Sequence, residues 1–93
     1  KINQILELAD RMKNIILQTT KSQYTSAIID SIFAKPIFTT TTFLQSTNIS
    51  NRKTAISILQ KLVEKNVIQL VRESSGNRSN LYAFKDLMDI IEN

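Results

Sequence analysis

The sequence predicts a mainly α-helical domain with a small β-hairpin, on three observations. Apolar residues recur at helical spacing in three segments before residue 65. Two short β-branched and aromatic runs follow, Val67–Arg72 and Leu81–Phe84, parted by a polar cluster that holds the only glycine, Gly76. The 93 residues are 42% hydrophobic and 22% charged, which suits one soluble globular domain and argues against long linkers.

Each element has a local reason. Ile2, Ile5, Leu6, Ala9, Met12, Ile15 and Ile16 form one face of a helix over 2–18, with Glu7 and Arg11 at i,i+4 on the other. Ser22 is an expected N-cap for a second helix from about Gln23 to Ala34, with Tyr24, Ala27, Ile28 and Ile32 on its apolar face. Pro36 stops it. Ile37–Phe38–Thr39 reads as a brief strand. Thr40 or Thr41 then caps a short third helix carrying Phe43 and Leu44. The threonine run 39–42 fits a strand end and a helix cap better than a phosphate site.

A polar turn closes on Ile49, and Ser50 or Asn51 caps a fourth helix reaching about Lys65. Ala55, Ile58, Leu59, Leu62 and Val63 are its apolar positions. Asn66 stands where a left-handed residue ends a helix. The hairpin of 67–72 and 81–84 has a basic tip, and Ile68, Leu70, Leu81 and Phe84 are expected to pack it on the helices, because an isolated hairpin is marginal in water. Lys85 to Ile91 closes the chain as a short helix. A short helix, a tight turn, a longer helix and a two-stranded ribbon, in that order, are a winged helix-turn-helix, here with an extra N-terminal helix. The expected organisation is a linking helix over 1–20 and a winged domain over 21–93. Lys1 opens the chain inside a helical pattern, so a piece of a longer protein is expected.

Composition narrows the chemistry. The chain has no Cys and no His. Disulfides, thiolate sites, the commonest metal ligand and the commonest general base are therefore missing. No metal, cofactor or catalytic constellation is expected: Asp86 and Asp89 at i,i+3 read as a solvated helix face, and Ser74–Ser75–Gly76 has no His partner. No apolar run approaches 18 residues, so no membrane partner is expected, and no signal peptide is visible.

Net charge is +4. Residues 50–80 alone carry that excess, through Arg52, Lys53, Lys61, Lys65, Arg72 and Arg78 against Glu64 and Glu73. An anionic partner suits such a patch. DNA is the expected one, met by Asn51, Arg52, Lys53, Thr54, Ser57 and Lys61 on the fourth helix, and by Arg72 and Arg78 near phosphates, with Arg78 at the wing tip. The alternatives are an ordinary solvated face or a protein contact, toward which an exposed Ile56 and the apolar face of residues 2–16 point.

The pattern Ser22-x-Tyr24 … Ile29–Asp30-x-Ile32–Phe33-x-x-Pro36–Ile37–Phe38–Thr39–Thr40, continued by Thr54–Ala55-x-x-x-Leu59-x-x-Leu62, Val67–Ile68 and Arg78-x-x-x-Tyr82, resembles the C-terminal winged-helix domain of Fic family proteins. The Phe-x-x-Pro-x-Phe-Thr stretch is the most specific part, and the likeness covers nearly the whole chain. It implies a domain that follows a linking helix, here residues 1–19, behind a catalytic domain that transfers AMP from ATP to a protein hydroxyl. Asn66 replaces the family's usual Gly, and the start of the fourth helix is one residue longer. The family's His-Pro-Phe motif and its Gly-Asn-Gly-Arg type loop have no counterpart here. The resemblance thus implies a non-enzymatic accessory domain of a bacterial or archaeal cytoplasmic protein. Its expected partners are DNA, the rest of the parent chain, or a second copy; the alternative function is regulation or dimerisation of the parent without DNA.

Overall fold

The computed structural model describes residues 1–20 and 23–92. Among the described residues, five helices and three strands run in the order α1 (Ile2–Thr20), α2 (Thr25–Ala34), β1 (Ile37–Thr39), α3 (Thr40–Thr47), α4 (Arg52–Glu64), β2 (Gln69–Arg72), β3 (Leu81–Ala83) and α5 (Lys85–Glu92). The predicted mainly α fold with a small β wing is the fold observed.

The apolar stripe of α1 enters the common core. Leu8, Met12 and Ile16 are buried with Ile28 and Ile32 of α2, Phe43 of α3, Leu59 and Leu62 of α4, and Leu87 of α5. Ile5 and Ile15 lie partly buried at its rim, while Ile2, Leu6 and Leu17 remain exposed. The helix runs two residues past its expected end, and Thr20 Oγ1 donates to the Ile16 carbonyl in its last turn.

α2 begins at Thr25, later than the apolar spacing indicates, and Tyr24 stands before it as the flanking residue. The Ser22 cap lies outside the described residues. The expected cap of α3 is corrected by one position. Thr39 caps it, accepting from the Thr42 amide at 3.1 Å, while Thr42 Oγ1 accepts from the Thr39 amide at 2.9 Å. This reciprocal box satisfies two otherwise orphaned donors. It accounts for two of the four threonines. Thr40 is buried and gives its amide to the Asn80 carbonyl at 3.2 Å.

The hairpin does not stand as a two-stranded ribbon. β1 joins it, giving the antiparallel order β1-β3-β2 with Phe38 opposite Tyr82 and Leu70 opposite Tyr82 on the other side. Phe43, Phe38 and Tyr82 stack in a row, each pair of ring centroids 5.7 Å apart. Phe84 meets Phe33 edge-on at 5.1 Å. These pairs tie the sheet to α2 and α3.

Two sequence expectations for the hairpin change. Val67 and Ile68 are buried as expected of a core run, but the paired strand starts only at Gln69. Leu70, expected to pack inward, is 40% exposed. It occupies the edge strand above an open recess of about 450 Å³ that it shares with Gln60, Val63, Glu64, Asn80 and Tyr82. Its partner Tyr82 sits on the central strand and is covered; an edge position has cover on one flank only.

Candidate nucleic-acid interface

α4 is the element that presents most of the expected contacts, and its two ends explain its placement. At the start, Asn51 is extended and its Oδ1 accepts from the Lys53 amide at 2.9 Å and the Thr54 amide at 3.4 Å. The preceding turn uses Asn48 in the left-handed region, at φ 58°, which lets Ile49 drop into the core. At the far end, Asn66 is again left-handed, at φ 59°. The Asn66 amide reaches the Val63 carbonyl at 3.0 Å, and the Val67 amide reaches the Leu62 carbonyl at 2.9 Å. That is a Schellman end, with apolar Val67 and Leu62 both in the core.

Between these ends α4 has two faces. Ala55, Ile58, Leu59 and Leu62 are buried. Arg52, Lys53, Ile56, Ser57 and Gln60 are exposed, at i, i+1, i+4, i+5 and i+8, which is one side of a helix. No acidic residue interrupts this side before Glu64.

The expected contacts fall into separate groups. Lys53, Thr54, Ser57 and Lys61 line one flank, together with Thr20, Gln23 and Tyr24 at the α1–α2 junction, around an open cleft of about 740 Å³. Arg52 lies on the other flank. With Ile56 it borders a smaller recess of about 250 Å³ against Thr40, Ser74, Ser79 and Asn80 at the base of the wing. Asn51 is exposed, but its side-chain oxygen is already used as a cap.

The wing separates its two arginines. Arg78 is exposed at the tip, where Ser75 and Arg78 exchange backbone hydrogen bonds of 3.1 and 2.9 Å across Gly76–Asn77. Gly76 has φ +58°, as the first central residue of a II′-type hairpin requires. Arg72 is drawn into the wing instead. The register passes from Leu70–Tyr82 to Arg72–Leu81, so Val71 is a bulge. A one-residue slip reverses sides, and Arg72 shares the face of Leu81 rather than that of Leu70. It is half-buried, one guanidinium nitrogen donates to the Ser79 carbonyl at 3.4 Å, and Nε is buried without a partner.

Sequence reasoning missed Asn80. Its Oδ1 accepts from the Ser74 amide at 2.6 Å, its amide nitrogen donates to Tyr82 Oη at 3.1 Å, and its carbonyl receives Thr40. One residue thus holds the wing base to the sheet through its side chain and to α3 through its main-chain carbonyl. In sequence it is one of the eight residues 73–80 of a turn cluster, with no spacing that marks it. Thr20, Gln23 and Tyr24 were likewise invisible as cleft walls, because only the packing of α1 and α2 brings them to α4.

Among the described residues no group of three or more Asp, Glu, His or Cys could hold a metal ion, and no helix is long and apolar enough to cross a membrane.

Helix, turn and capped helix, followed by a ribbon whose loop projects beside them, make this a winged helix-turn-helix domain. Its family follows from the match of residues 8–87 to the model described as "Protein adenylyltransferase SoFic-like, C-terminal domain". The chain belongs to that family, and is the C-terminal part of a Fic-like adenylyltransferase. No curated protein and no solved structure matches it.

Proposed function

We propose that this domain binds duplex DNA, with α4 in the major groove and the β2–β3 wing on the backbone. The supporting observation is the outward side of α4, which offers Arg52, Lys53, Ser57 and Gln60 together and reaches Glu64 before meeting an acid. Arg52 suits guanine O6 and N7. Lys53 and Lys61, with the Thr54 and Ser57 hydroxyls between them, suit phosphates along one strand, and Arg78 suits the backbone beyond. Asn51 contributes its amide nitrogen only, and Arg72 stiffens the wing more than it touches a phosphate. The domain serves as an accessory module of its parent, with residues 1–20 as the linking helix and 21–93 as the DNA-binding body, in the cytoplasm of a prokaryote.

Titration of a fluorescent random-sequence duplex tests the reading. Three phosphate contacts give a salt slope of about −2.7, so affinity should fall about 40-fold between 50 and 200 mM salt. Binding unchanged by Arg52→Ala plus Lys53→Ala would remove α4 as the contact surface.

One observation supports a second role, regulation or dimerisation through protein contact. Ile2 and Leu6 stay 76% and 60% exposed, and Ile91, 51% exposed, lies where Lys1 Nζ donates to its carbonyl at 2.9 Å. The parent's remaining chain or a second copy would cover them. Sedimentation that shows a strict monomer at high concentration excludes the second copy.

A further inference from the structure

We infer that Ile56 selects the DNA site by touching the 5-methyl group of a thymine in the major groove, an inference that rests on the DNA-binding reading above. Ile56 is an isoleucine on the wrong side of its helix for a core residue. Ile58, two positions on, takes the core place and is 6% exposed, whereas Ile56 is 36% exposed. At 100° per residue the two point about 160° apart. Ile56 thus stands outside the buried core, with about a third of its surface open to solvent and the rest covered near the wing base.

Its neighbours define what it suits. Arg52, Lys53, Ser57 and Gln60 surround it on the outward side of α4, all polar and exposed. A protein docking there would need further apolar groups around Ile56, and α4 exposes no other large one. A duplex edge offers the matching pattern: anionic phosphates, acceptor atoms, and one apolar group on a base, the thymine methyl. A lone branched aliphatic side chain inside a basic, hydrogen-bonding face is complementary to it.

The geometry also sets a spacing. Arg52 stands four residues before Ile56, and both border the recess beside the wing base. Four residues rise about 6 Å along a helix, and successive base pairs are about 3.4 Å apart. With α4 lying along the groove, the thymine falls about two base pairs from the guanine that Arg52 meets.

Site selection from randomised duplexes with the 93-residue chain, followed by thymine-to-uracil replacement in the selected site, tests this. Uracil keeps the pairing and removes only the methyl. One replacement should weaken binding about fourfold, the value of one buried methyl-sized group, and the remaining thymines should be neutral. In Ile56→Ala that replacement should have no effect, while the salt slope stays as in the wild type and circular dichroism shows the domain still folded. Uracil replacement that is neutral throughout, or equally harmful in Ile56→Ala, overturns the inference and leaves DNA binding standing. Salt-dependent binding with no selected sequence does the same. Absence of salt-dependent binding overturns both.

Discussion

The two faces of α4 carry opposite burdens. Ala55, Ile58, Leu59 and Leu62 are buried in the common core, while Arg52, Lys53, Ile56, Ser57 and Gln60, interleaved with them in sequence, lie on the side open to solvent. One helix of 13 residues thus carries both a packing face and the face proposed to meet DNA. A substitution on the first face should change stability and leave the chemistry of binding intact. One on the second should do the reverse.

The largest expected effect lies on the inner face. Leu59→Ala removes a fully buried side chain and should cost ~2–5 kcal/mol. Calorimetry should show a fall in melting temperature of at least about 10 °C for a domain of this size. On the outer face, Arg52→Ala plus Lys53→Ala should leave stability within ~0.5 kcal/mol. The same variant should lower duplex affinity by about 10- to 100-fold and flatten the salt slope by about 1 unit, as titrations at several salt concentrations will read. A large loss of stability in that variant would show that the two faces are not independent.

Asn51 stands at the boundary between the faces. Asn51→Ala removes the cap and should cost ~1 kcal/mol in chemical denaturation. Asn51→Asp keeps a capping oxygen and suits the helix N-terminus, so stability should hold. Its added negative charge faces the proposed phosphates and should weaken DNA binding. The smallest effect belongs to Asn66→Gly. Glycine adopts the left-handed geometry at φ 59° without the Cβ penalty but loses more chain entropy, so a net gain of about 0.5 kcal/mol is expected, with DNA affinity unchanged.

Much of this was legible from local chemistry. The periodicity of α1 and α4 marked Met12, Ile16, Leu59 and Leu62 as inward, and they are buried, whereas it left out Leu8, which is fully buried, and included Ile2 and Leu6, which are exposed. The cap was legible as Ser50 or Asn51, of which Asn51 holds it, Asn66 as a left-handed stop and Ile49 as the plug of the turn, because each acts within a few residues of itself. The outward set on α4 was readable for the same reason: helical spacing assigns both sides at once.

The candidate site was less legible wherever it left α4. Spacing could set Lys53 beside Ser57, but not decide that Tyr24 and Thr20 would wall the same cleft. Arg72 and Arg78 looked alike as wing cations until the bulge at Val71 turned Arg72 toward Ser79. A bulge is a choice of register between two strands, and neither strand encodes it alone.

The sequence by itself determined the order of elements, the inward and outward faces of the helices, the breaks at Pro36 and Asn66, and the basic character of α4 and the wing. These depend on interactions a few residues apart. Only the tertiary structure decided that β1 completes the sheet against β3, that Leu70 is left at an uncovered edge, that Asn80 joins wing, sheet and α3, and that Ile56 and Arg52 border one recess. Those outcomes join residues as far apart in sequence as Ile37 and Ala83, and the free energy that selects them comes from burying shared surface, which no local pattern contains.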